Sequence, residues 1–199
     1  MRRRAVFVDK DGTLVPDLPY NIDPDRITLM DGAPEALYAL QAAGFLVIVV
    51  SNQSGVARGL FTEADLQPVE RRLRALLARH GVRLDDFVYC PHHPLGVVEG
   101  YALSCSCRKP QPGLIRRAGF RHGIDPARSW MIGDILDDVE AGARAGCRTV
   151  LVDAGNETEW RRAPLRTPEV VVADMRAAAR AILASQPAGD HAQPEDART

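Results

Sequence analysis

Short apolar runs alternate with helical segments along most of this chain, and this alternation constrains the fold more than any other feature. Runs rich in β-branched and aromatic residues predict six strands: Arg4–Val8, Phe45–Val50, Phe87–Tyr89, Ser129–Ile132, Arg148–Val152 and Glu169–Val172. Strands that alternate with helices require right-handed crossovers and a parallel sheet covered on both faces. The predicted fold is therefore α/β, a doubly wound parallel sheet.

Helix signals occupy the segments between the strands. The predicted helices span 34–44, 62–81, 136–145 and 173–184, and another follows residue 113 and ends at Gly123, before Asp125 and Pro126. Thr62 is a good N-terminal cap, and Asp65 three residues later completes a capping pair. The segment between Asn52 and the next strand is a helix rather than a separate lid, so we expect a Rossmann-like domain with no large cap domain.

Length and composition fit one globular domain followed by a tail. The 199 residues are 46% hydrophobic and 26% charged, with a formal net charge of -1. The net charge does not show the excess of basic residues that is typical of nucleic-acid-binding proteins, so a nucleic-acid partner is not expected. Residues 1–184 are expected to form a single domain. Residues 185–199 lack apolar periodicity, which predicts a disordered tail.

No membrane segment is predicted. The apolar run behind the basic N-terminus ends at Val8, which is too short for a signal-peptide core. The longest apolar run, Phe45–Val50, is a strand rather than a membrane span. We therefore expect a cytoplasmic protein without a membrane partner, and a monomer as the default for a compact domain.

The first apolar run ends in two aspartates. Asp9 and Asp11 are two residues apart, so a strand would direct both carboxylates to one face. Neighbouring carboxylates resist joint ionisation unless a cation compensates or one keeps its proton, which allows one to be a nucleophile and the other an acid. That division suits phosphate chemistry, although Asp-x-Asp-Gly by itself is also an ordinary surface turn.

Two further clusters carry groups that can hold phosphate oxygens. Ser51–Gly59 offers hydroxyl and backbone N–H groups, although the same residue types also form simple loops. Arg108 and Lys109 precede a helix, and Lys10 is the only other lysine in the chain. A lysine in an arginine-rich chain indicates a need for a compact charge on a phosphate; the alternative is a solvated basic turn.

A last cluster of carboxylates follows the fourth strand. Asp134 leaves that strand directly and is a candidate Mg²⁺ ligand, since Mg²⁺ prefers carboxylate oxygens. Asp137 and Asp138 are interpreted as helix-capping residues that favour the helix dipole. Ligands of open parallel sheets bind beyond the carboxyl ends of the strands. Asp9, the 51–52 pair and Asp134 are therefore expected to converge.

Three of the four cysteines lie close to histidines, in Cys-x-His and Cys-x-Cys pairs. The expected zinc ligands are Cys90, His92, Cys105 and Cys107. Four protein ligands leave no open coordination position for a catalytic water, so the zinc is expected to be structural. Disulfides are not expected, because no sequence feature indicates secretion. His93 is spare, and Cys147 stands apart as a small buried residue.

Together these segments resemble the ordered motifs of haloacid dehalogenase superfamily phosphatases: Asp9-x-Asp11-Gly12-Thr13, Ser51-Asn52, Lys109 and Gly133-Asp134. The fuller strings 51–59, 90–94 and 105–110 are similar to the D,D-heptose 1,7-bisphosphate phosphatase and histidinol-phosphatase branch, which has no large cap and carries a structural zinc loop. The likeness extends from about Arg4 to Ala184.

The resemblance implies hydrolysis of a small phosphorylated sugar through an aspartyl-phosphate. It implies that Asp9 is the nucleophile, that Asp11 is the acid and base, and that Mg²⁺ is held by Asp9, Asp134 and the carbonyl of Asp11. The residues that it places on the phosphate or the sugar are Ser51, Asn52, Gln53, Ser54, Arg108, Lys109, Asp17 and Tyr20. Arg108 is implied to hold the sugar or a second phosphate.

Two features depart from the family pattern. Lys10 stands where the heptose enzymes usually have arginine, and its side chain is expected to point away from the two aspartates with little consequence. Pro16 and Pro19 lie in the loop that resembles the substrate-contacting stretch, where they can change the sugar contacts.

The expected substrate is D-glycero-D-manno-heptose 1,7-bisphosphate, converted to the 1-phosphate. Alternatives are histidinol phosphate, another small phosphomonoester or a terminal phosphate of a nucleic acid. A different class of function, a zinc-stabilised binding module without catalysis, is opposed by the presence of every expected catalytic group.

Overall fold

The computed structural model describes residues 2–186, which form one six-stranded sheet with helices on both faces. The strands are β1 (Arg4–Val8), β2 (Phe45–Asn52), β3 (Asp86–Cys90), β4 (Trp130–Gly133), β5 (Arg148–Val152) and β6 (Val170–Val172). The helices are α1 (Ala33–Ala42), α2 (Leu66–Ala78), α3 (Gly113–His122), α4 (Leu136–Ala145) and α5 (Met175–Ala184). Short 3-10 turns lie at Pro24–Arg26, Glu63–Asp65, Pro126–Arg128 and Pro164–Arg166.

All strand pairs are parallel, in the order β3-β2-β1-β4-β5-β6. The chain moves outward from β1 to β3 and then returns to place β4 on the other side of β1. The strand order therefore reverses between β1 and β4, where open sheets of this kind hold their ligands. The sequence prediction of a doubly wound parallel sheet is confirmed.

Alternation along β1 divides the core between the two faces of the sheet. Val6 and Val8 pack with α1, α2 and α5, whereas Ala5 and Phe7 pack with α3 and α4. All four of these side chains are almost fully buried. Two packed faces hold the central strands rigidly and set the positions of the residues at their ends.

Several element boundaries differ from the prediction. β2 continues two residues further, because Ser51 and Asn52 still pair with β3, so both residues end a strand instead of beginning a loop. The helix predicted over 62–81 begins as a 3-10 turn and ends at Ala78, although the Thr62 and Asp65 capping pair is present. β6 and α5 each begin one or two residues later than predicted.

No separate cap domain lies within residues 2–186, in agreement with the prediction. None of the helices in this range has the length and apolar character that a membrane-spanning segment needs. Ser185 and Gln186 accept hydrogen bonds from Arg148 and Arg4, at 3.0 Å and 2.6 Å. The rest of the predicted tail, residues 187–199, lies outside the described residues.

Candidate active site

The carboxyl ends of three adjacent strands surround one open pocket of about 250 Å³. Asp9 follows β1, Ser51 and Asn52 end β2, and Asp134 follows β4. The predicted site residues that line this pocket are Asp9, Asp11, Asp17, Ser51, Asn52, Ser54, Arg108, Lys109 and Asp134. The predicted convergence of the three strand ends is therefore present in the structure.

A buried cluster of carboxylates lies at the base of the pocket. One oxygen from each of Asp9, Asp134 and Asp138 lies within 4.8 Å of the others. The ammonium group of Lys109 contacts Asp9 at 2.5 Å and Asp138 at 2.6 Å, and it donates to the carbonyl oxygen of Val50 at 2.9 Å. One cation among three carboxylates leaves negative charge uncompensated in a region that water hardly reaches.

The pKa shifts in this cluster follow from burial and from charge. Burial alone would lower the pKa of Lys109, but the charges of Asp138 and Asp9 outweigh burial and hold that pKa above its ordinary value. Burial, reinforced by the charge of Asp9, raises the pKa of Asp134 to about 6. A further cation would remove this mutual repulsion.

The donor set fits Mg²⁺. Mg²⁺ is a hard cation that prefers carboxylate and carbonyl oxygens, and the cluster offers buried carboxylate oxygens with excess negative charge. Asp9 and Asp134 are the carboxylates that would hold the ion. Asp138 is already engaged by Lys109.

Asp138 has a larger role than the capping that its position predicted. Its carboxylate does accept a hydrogen bond from the N–H of Ile135, at 3.4 Å, but its side chain is completely buried against Lys109. Gly133 makes this possible, because a Cβ there would lie 2.3 Å from Asp138. Asp137 instead pairs with Arg166, at 2.7 Å. The i, i+4 spacing from Asp134 to Asp138, across the start of a helix, was the available signal.

The side chain of Asp11 lies apart from the carboxylate cluster, at the edge of the pocket. Gln53 donates to it at 3.3 Å, and Lys10 forms a short ion pair with it. Burial and the charge of Asp9 raise the pKa of Asp11, against the opposing effect of Lys10. Asp11 therefore favours its protonated form more than an exposed aspartate does.

The expectation that Lys10 points away was wrong. Lys10 is only 3% exposed, and its ammonium group turns back to Asp11. Strand alternation does not apply to it, because β1 ends at Val8 and residues 10–14 form a turn closed by the hydrogen bond from Leu14 N to Lys10 O.

Asn52 holds the main chain of Lys109 from both sides. Its amide oxygen accepts from the N–H of Lys109 at 3.0 Å, and its amide nitrogen donates to the carbonyl at 3.1 Å. Gln53 donates to the hydroxyl of Ser51 at 2.7 Å. These bonds keep Lys109 and Ser51 on the pocket side of β2.

A second pocket, of about 290 Å³, adjoins the first. Both pockets are bordered by Asp11, Asp17, Asn52 and Ser54, while Gln53 and Tyr20 lie along the second. Tyr20 is 48% exposed and has a left-handed backbone, with φ 55°. The loop with Tyr20, which was expected to contact the substrate, therefore lies beside the first pocket.

The four predicted zinc ligands form one cluster. Their sulfur and Nδ1 atoms are 3.1 to 3.6 Å apart in the close pairs, and all lie within 4.8 Å of one another. Zinc–sulfur bonds of about 2.3 Å in a tetrahedron place the sulfur atoms about 3.8 Å apart, so small outward shifts of these side chains would accommodate the ion. Three thiols and an imidazole therefore fit a four-coordinate Zn²⁺ ion. Cys147 lies outside this cluster and is buried, as predicted.

The zinc cluster is linked to the pocket through the backbone. The N–H of Arg108 donates to the sulfur of Cys105 at 3.3 Å, and the N–H of Gly113 donates to the carbonyl of Ser106 at 2.9 Å. Lys109 is the next residue after Arg108. Any ion that holds the cluster together therefore also fixes where Lys109 enters the pocket.

Two residues at the pocket were not identified from the sequence as contacts of Asp134. Thr13 donates to one oxygen of Asp134 at 2.9 Å, and Asn156 donates to the other at 2.8 Å. Thr13 belongs to the Asp-x-Asp-Gly-Thr string, so the motif contained its signal. Asn156 lies in the loop after β5, where nothing in the local pattern distinguishes it.

The topology and the site together define a class of protein. Four features form the arrangement of a haloacid dehalogenase-type hydrolase: an Asp-x-Asp-Gly-Thr turn after the first strand, a hydroxyl and amide pair ending the second, a buried lysine, and a Gly-Asp at the adjoining strand.

Comparison with known proteins agrees with this class. The family model described as "HAD-hyrolase-like" matches residues 106–178. The D-glycero-beta-D-manno-heptose-1,7-bisphosphate 7-phosphatase of Escherichia coli O6:H1 is 44% identical over 152 residues, which are 76% of this chain and 80% of that protein. The protein of the same name from Pasteurella multocida is 44% identical over 154 residues, which are 77% of this chain and 83% of that one.

A solved structure extends the likeness to three dimensions. D,D-heptose 1,7-bisphosphate phosphatase from B. bronchiseptica, complexed with magnesium and phosphate, superposes with a TM-score of 0.74 at 32% identity and covers 92% of this chain and 99% of that one. The chain belongs to the haloacid dehalogenase superfamily, in the branch of the heptose bisphosphate phosphatases, and is a phosphatase that hydrolyses phosphoric monoesters.

Proposed function

We propose that this phosphatase removes the 7-phosphate of D-glycero-D-manno-heptose 1,7-bisphosphate, in a Mg²⁺-dependent reaction, and leaves the 1-phosphate. The observation that carries the choice of a bisphosphate is Arg108. Its Nη1 is enclosed and has no hydrogen-bond partner among residues 2–186, while its side chain lines the pocket beside Lys109. A buried donor without a partner needs a hydrogen-bond acceptor. A second phosphate on the substrate would supply acceptor oxygens and the opposite charge.

The surroundings of Arg108 are also positive. Arg58 lies 3.3 Å from the imidazole of His93. Burial, together with the charges of Arg108 and Arg58, lowers the pKa of His93. Two guanidinium groups near this histidine favour an anionic group on the substrate over an ammonium group such as that of histidinol phosphate.

In the first half of the proposed reaction, the sugar leaves and Asp9 is phosphorylated. A carboxylate oxygen of Asp9 forms a bond to phosphorus while the bond from phosphorus to the sugar oxygen breaks. Asp11 gives its proton to the departing oxygen, and its raised pKa suits this role. Lys109, Ser51 and Asn52 hold the phosphoryl oxygens in place.

In the second half, water releases the phosphate. Asp11, now ionised, takes a proton from the water while the water oxygen forms a bond to phosphorus. The bond from phosphorus to the Asp9 oxygen breaks, which restores the Asp9 carboxylate. Mg²⁺ held by Asp9, Asp134 and the Asp11 carbonyl would neutralise charge on the phosphoryl oxygens. We further propose a structural Zn²⁺ on Cys90, His92, Cys105 and Cys107.

All of these residues come from one chain, so the proposed reaction needs no partner subunit. Phosphate release and product analysis with a panel of esters, in the presence of Mg²⁺, test the proposed substrate. We expect the heptose bisphosphate to give the highest kcat/KM and the 1-phosphate as product. A higher kcat/KM for histidinol phosphate would contradict the proposed substrate and favour histidinol phosphate instead. If the zinc-bound protein released phosphate from none of the esters, a binding module would be favoured.

The Asp11→Asn variant is expected to lower kcat on the heptose bisphosphate by about 10²- to 10⁴-fold, the usual contribution of a positioned acid. An aryl phosphate has a leaving oxygen that departs without a proton, so the rate of phenol release should fall much less in this variant. Rapid-quench kinetics of alcohol or phenol release from both esters measures this difference. Equal losses in the release step for the two esters would contradict the acid role.

Mg²⁺ is expected to stabilise the protein more at about pH 8 than at about pH 5. Asp134 has a pKa raised to about 6 in the fold, against 3.8 for an unperturbed group. The metal-free fold therefore retains a proton that the unfolded chain releases, and it loses stability as the pH rises through this interval. Mg²⁺ binds the ionised form. Thermal unfolding with and without Mg²⁺ measures the gain in Tm, and an equal gain at both pH values would contradict this proton competition.

A further inference from the structure

The loop between β5 and β6 is anchored to the start of α4 by one carboxylate. Glu157 accepts three backbone hydrogen bonds: from Leu136 at 2.7 Å, from Glu159 at 2.8 Å and from Trp160 at 3.2 Å. Leu136 is the first residue of α4, so the carboxylate also lies at the positive end of the helix dipole. Glu157 is only 9% exposed, and it organises the loop as well as attaching it.

Asn156, the residue before Glu157, connects the anchored loop to the pocket. Asn156 donates to Oδ2 of Asp134 at 2.8 Å. Its amide lies close above Gly12, where a Cβ would be 2.7 Å from the Asn156 nitrogen and 2.1 Å from the Asp134 oxygen. Thr13 donates to the other oxygen of Asp134, at 2.9 Å. The plane of this carboxylate is therefore set by one donor on each oxygen.

A second anchor holds the far end of the same loop. Arg166 pairs with Asp137 at 2.7 Å and with Glu140 at 2.8 Å, both on α4. Trp160 between the two anchors has φ 46°, a left-handed conformation that its hydrogen bond to Glu157 helps to hold. The loop is thus fixed at two places on the helix that begins beside Asp134.

We propose that Asn156 and Glu157 are positioning residues that set the affinity for Mg²⁺ by fixing the carboxylate of Asp134. Mg²⁺ demands near-ideal octahedral geometry, so the orientation of each ligand matters. Asn156 acts on Asp134 directly, and Glu157 acts through the loop that presents Asn156. This inference rests on the proposed Mg²⁺ site.

Three variants test the inference. Asn156→Ala removes the donor to Asp134, and Glu157→Gln weakens the anchor by removing its charge and one acceptor oxygen. Glu159→Gln is the matched control, because it makes the same change two residues away, at a carboxylate that is exposed and pairs with the exposed Arg161. Calorimetric titration with Mg²⁺, without substrate, measures the affinity of each protein, and zinc content and circular dichroism verify folding.

We expect a dissociation constant for Mg²⁺ about 10- to 100-fold higher in Asn156→Ala, as for other groups that orient metal ligands. Glu157→Gln should show a smaller increase, and Glu159→Gln should match the wild type. In all three, kcat at saturating Mg²⁺ should stay within a few fold of wild type, because Asp9 and Asp11 are untouched.

The outcomes separate this inference from the proposed function. Wild-type affinity in both Asn156→Ala and Glu157→Gln, with Mg²⁺ bound normally by the wild type, overturns the positioning role alone. Absence of Mg²⁺ binding to the wild type overturns the proposed metal site and the positioning role with it. A fall in kcat at saturating Mg²⁺ with unchanged affinity also overturns it, since the loop would then act on the reaction rather than on the metal ligand.

Discussion

Asp9→Asn is expected to lose turnover by roughly 10⁴-fold or more, the scale on which removal of a nucleophile acts in other enzymes. Asparagine has nearly the same shape but cannot form the acyl-phosphate. The fold should persist, because Lys109 keeps its contacts with Asp138 and with the carbonyl of Val50. Phosphate release measures the loss, and intact-mass analysis after a rapid quench should show a phosphorylated chain in the wild type only.

Asp153→Asn is the matched control for this experiment. Asp153 also follows a strand of the sheet directly, since β5 ends at Val152, but its side chain is exposed. We expect its kcat to equal that of the wild type. Substantial turnover by Asp9→Asn, or a phosphorylated chain in that variant, would show that another group attacks phosphorus.

Removal of one zinc ligand is expected to have the second largest effect. Cys107→Ala should abolish stoichiometric zinc binding, lower Tm and reduce kcat/KM by at least about 10-fold. The physical reason is that binding of a structural zinc is itself folding free energy, of about 10–16 kcal/mol in zinc-finger peptides. Arg108 donates to the sulfur of Cys105, so a loosened cluster releases the segment that delivers Lys109.

Cys147→Ala provides the control, because Cys147 is a buried cysteine outside the cluster. It should keep one zinc ion per chain and near wild-type activity, with only a modest fall in Tm from the lost burial. Metal analysis, thermal unfolding and trypsin cleavage near Arg108 distinguish the two variants. Full zinc content or unchanged cleavage in Cys107→Ala would remove the basis for a structural zinc on these four residues.

Much of the fold could be predicted because its signals are local. Each central strand is a run of apolar residues buried on both faces, and its length and composition are visible in the chain. β1 and β5 have the predicted bounds. The end of β2 was missed because Ser51 and Asn52 are polar and resemble a loop. Their pairing with Tyr89 and Cys90 extends the strand, and pairing is not a local property.

The site divides in the same way. The zinc ligands lie in two short pairs whose spacing already suggests a metal, and the structure places all four in one cluster. Lys10 was misplaced because strand alternation was carried past the end of β1 into a turn. Asp138 was assigned to helix capping because its partner, Lys109, is far away along the chain. The only local signal was the i, i+4 spacing from Asp134, which does not identify a distant lysine as the partner.

The amino-acid order alone determined the alternation of strands and helices, the carboxylates that end β1 and follow β4, and the cysteines and histidine that are spaced for zinc. Tertiary structure decided that β1 lies between β2 and β4, that Lys109 sits between Asp9 and Asp138, and that Asn156 reaches Asp134. Periodicity and spacing are written in neighbouring residues, whereas contacts between distant segments exist only once the sheet has set the order of its strands and the helices have packed against it.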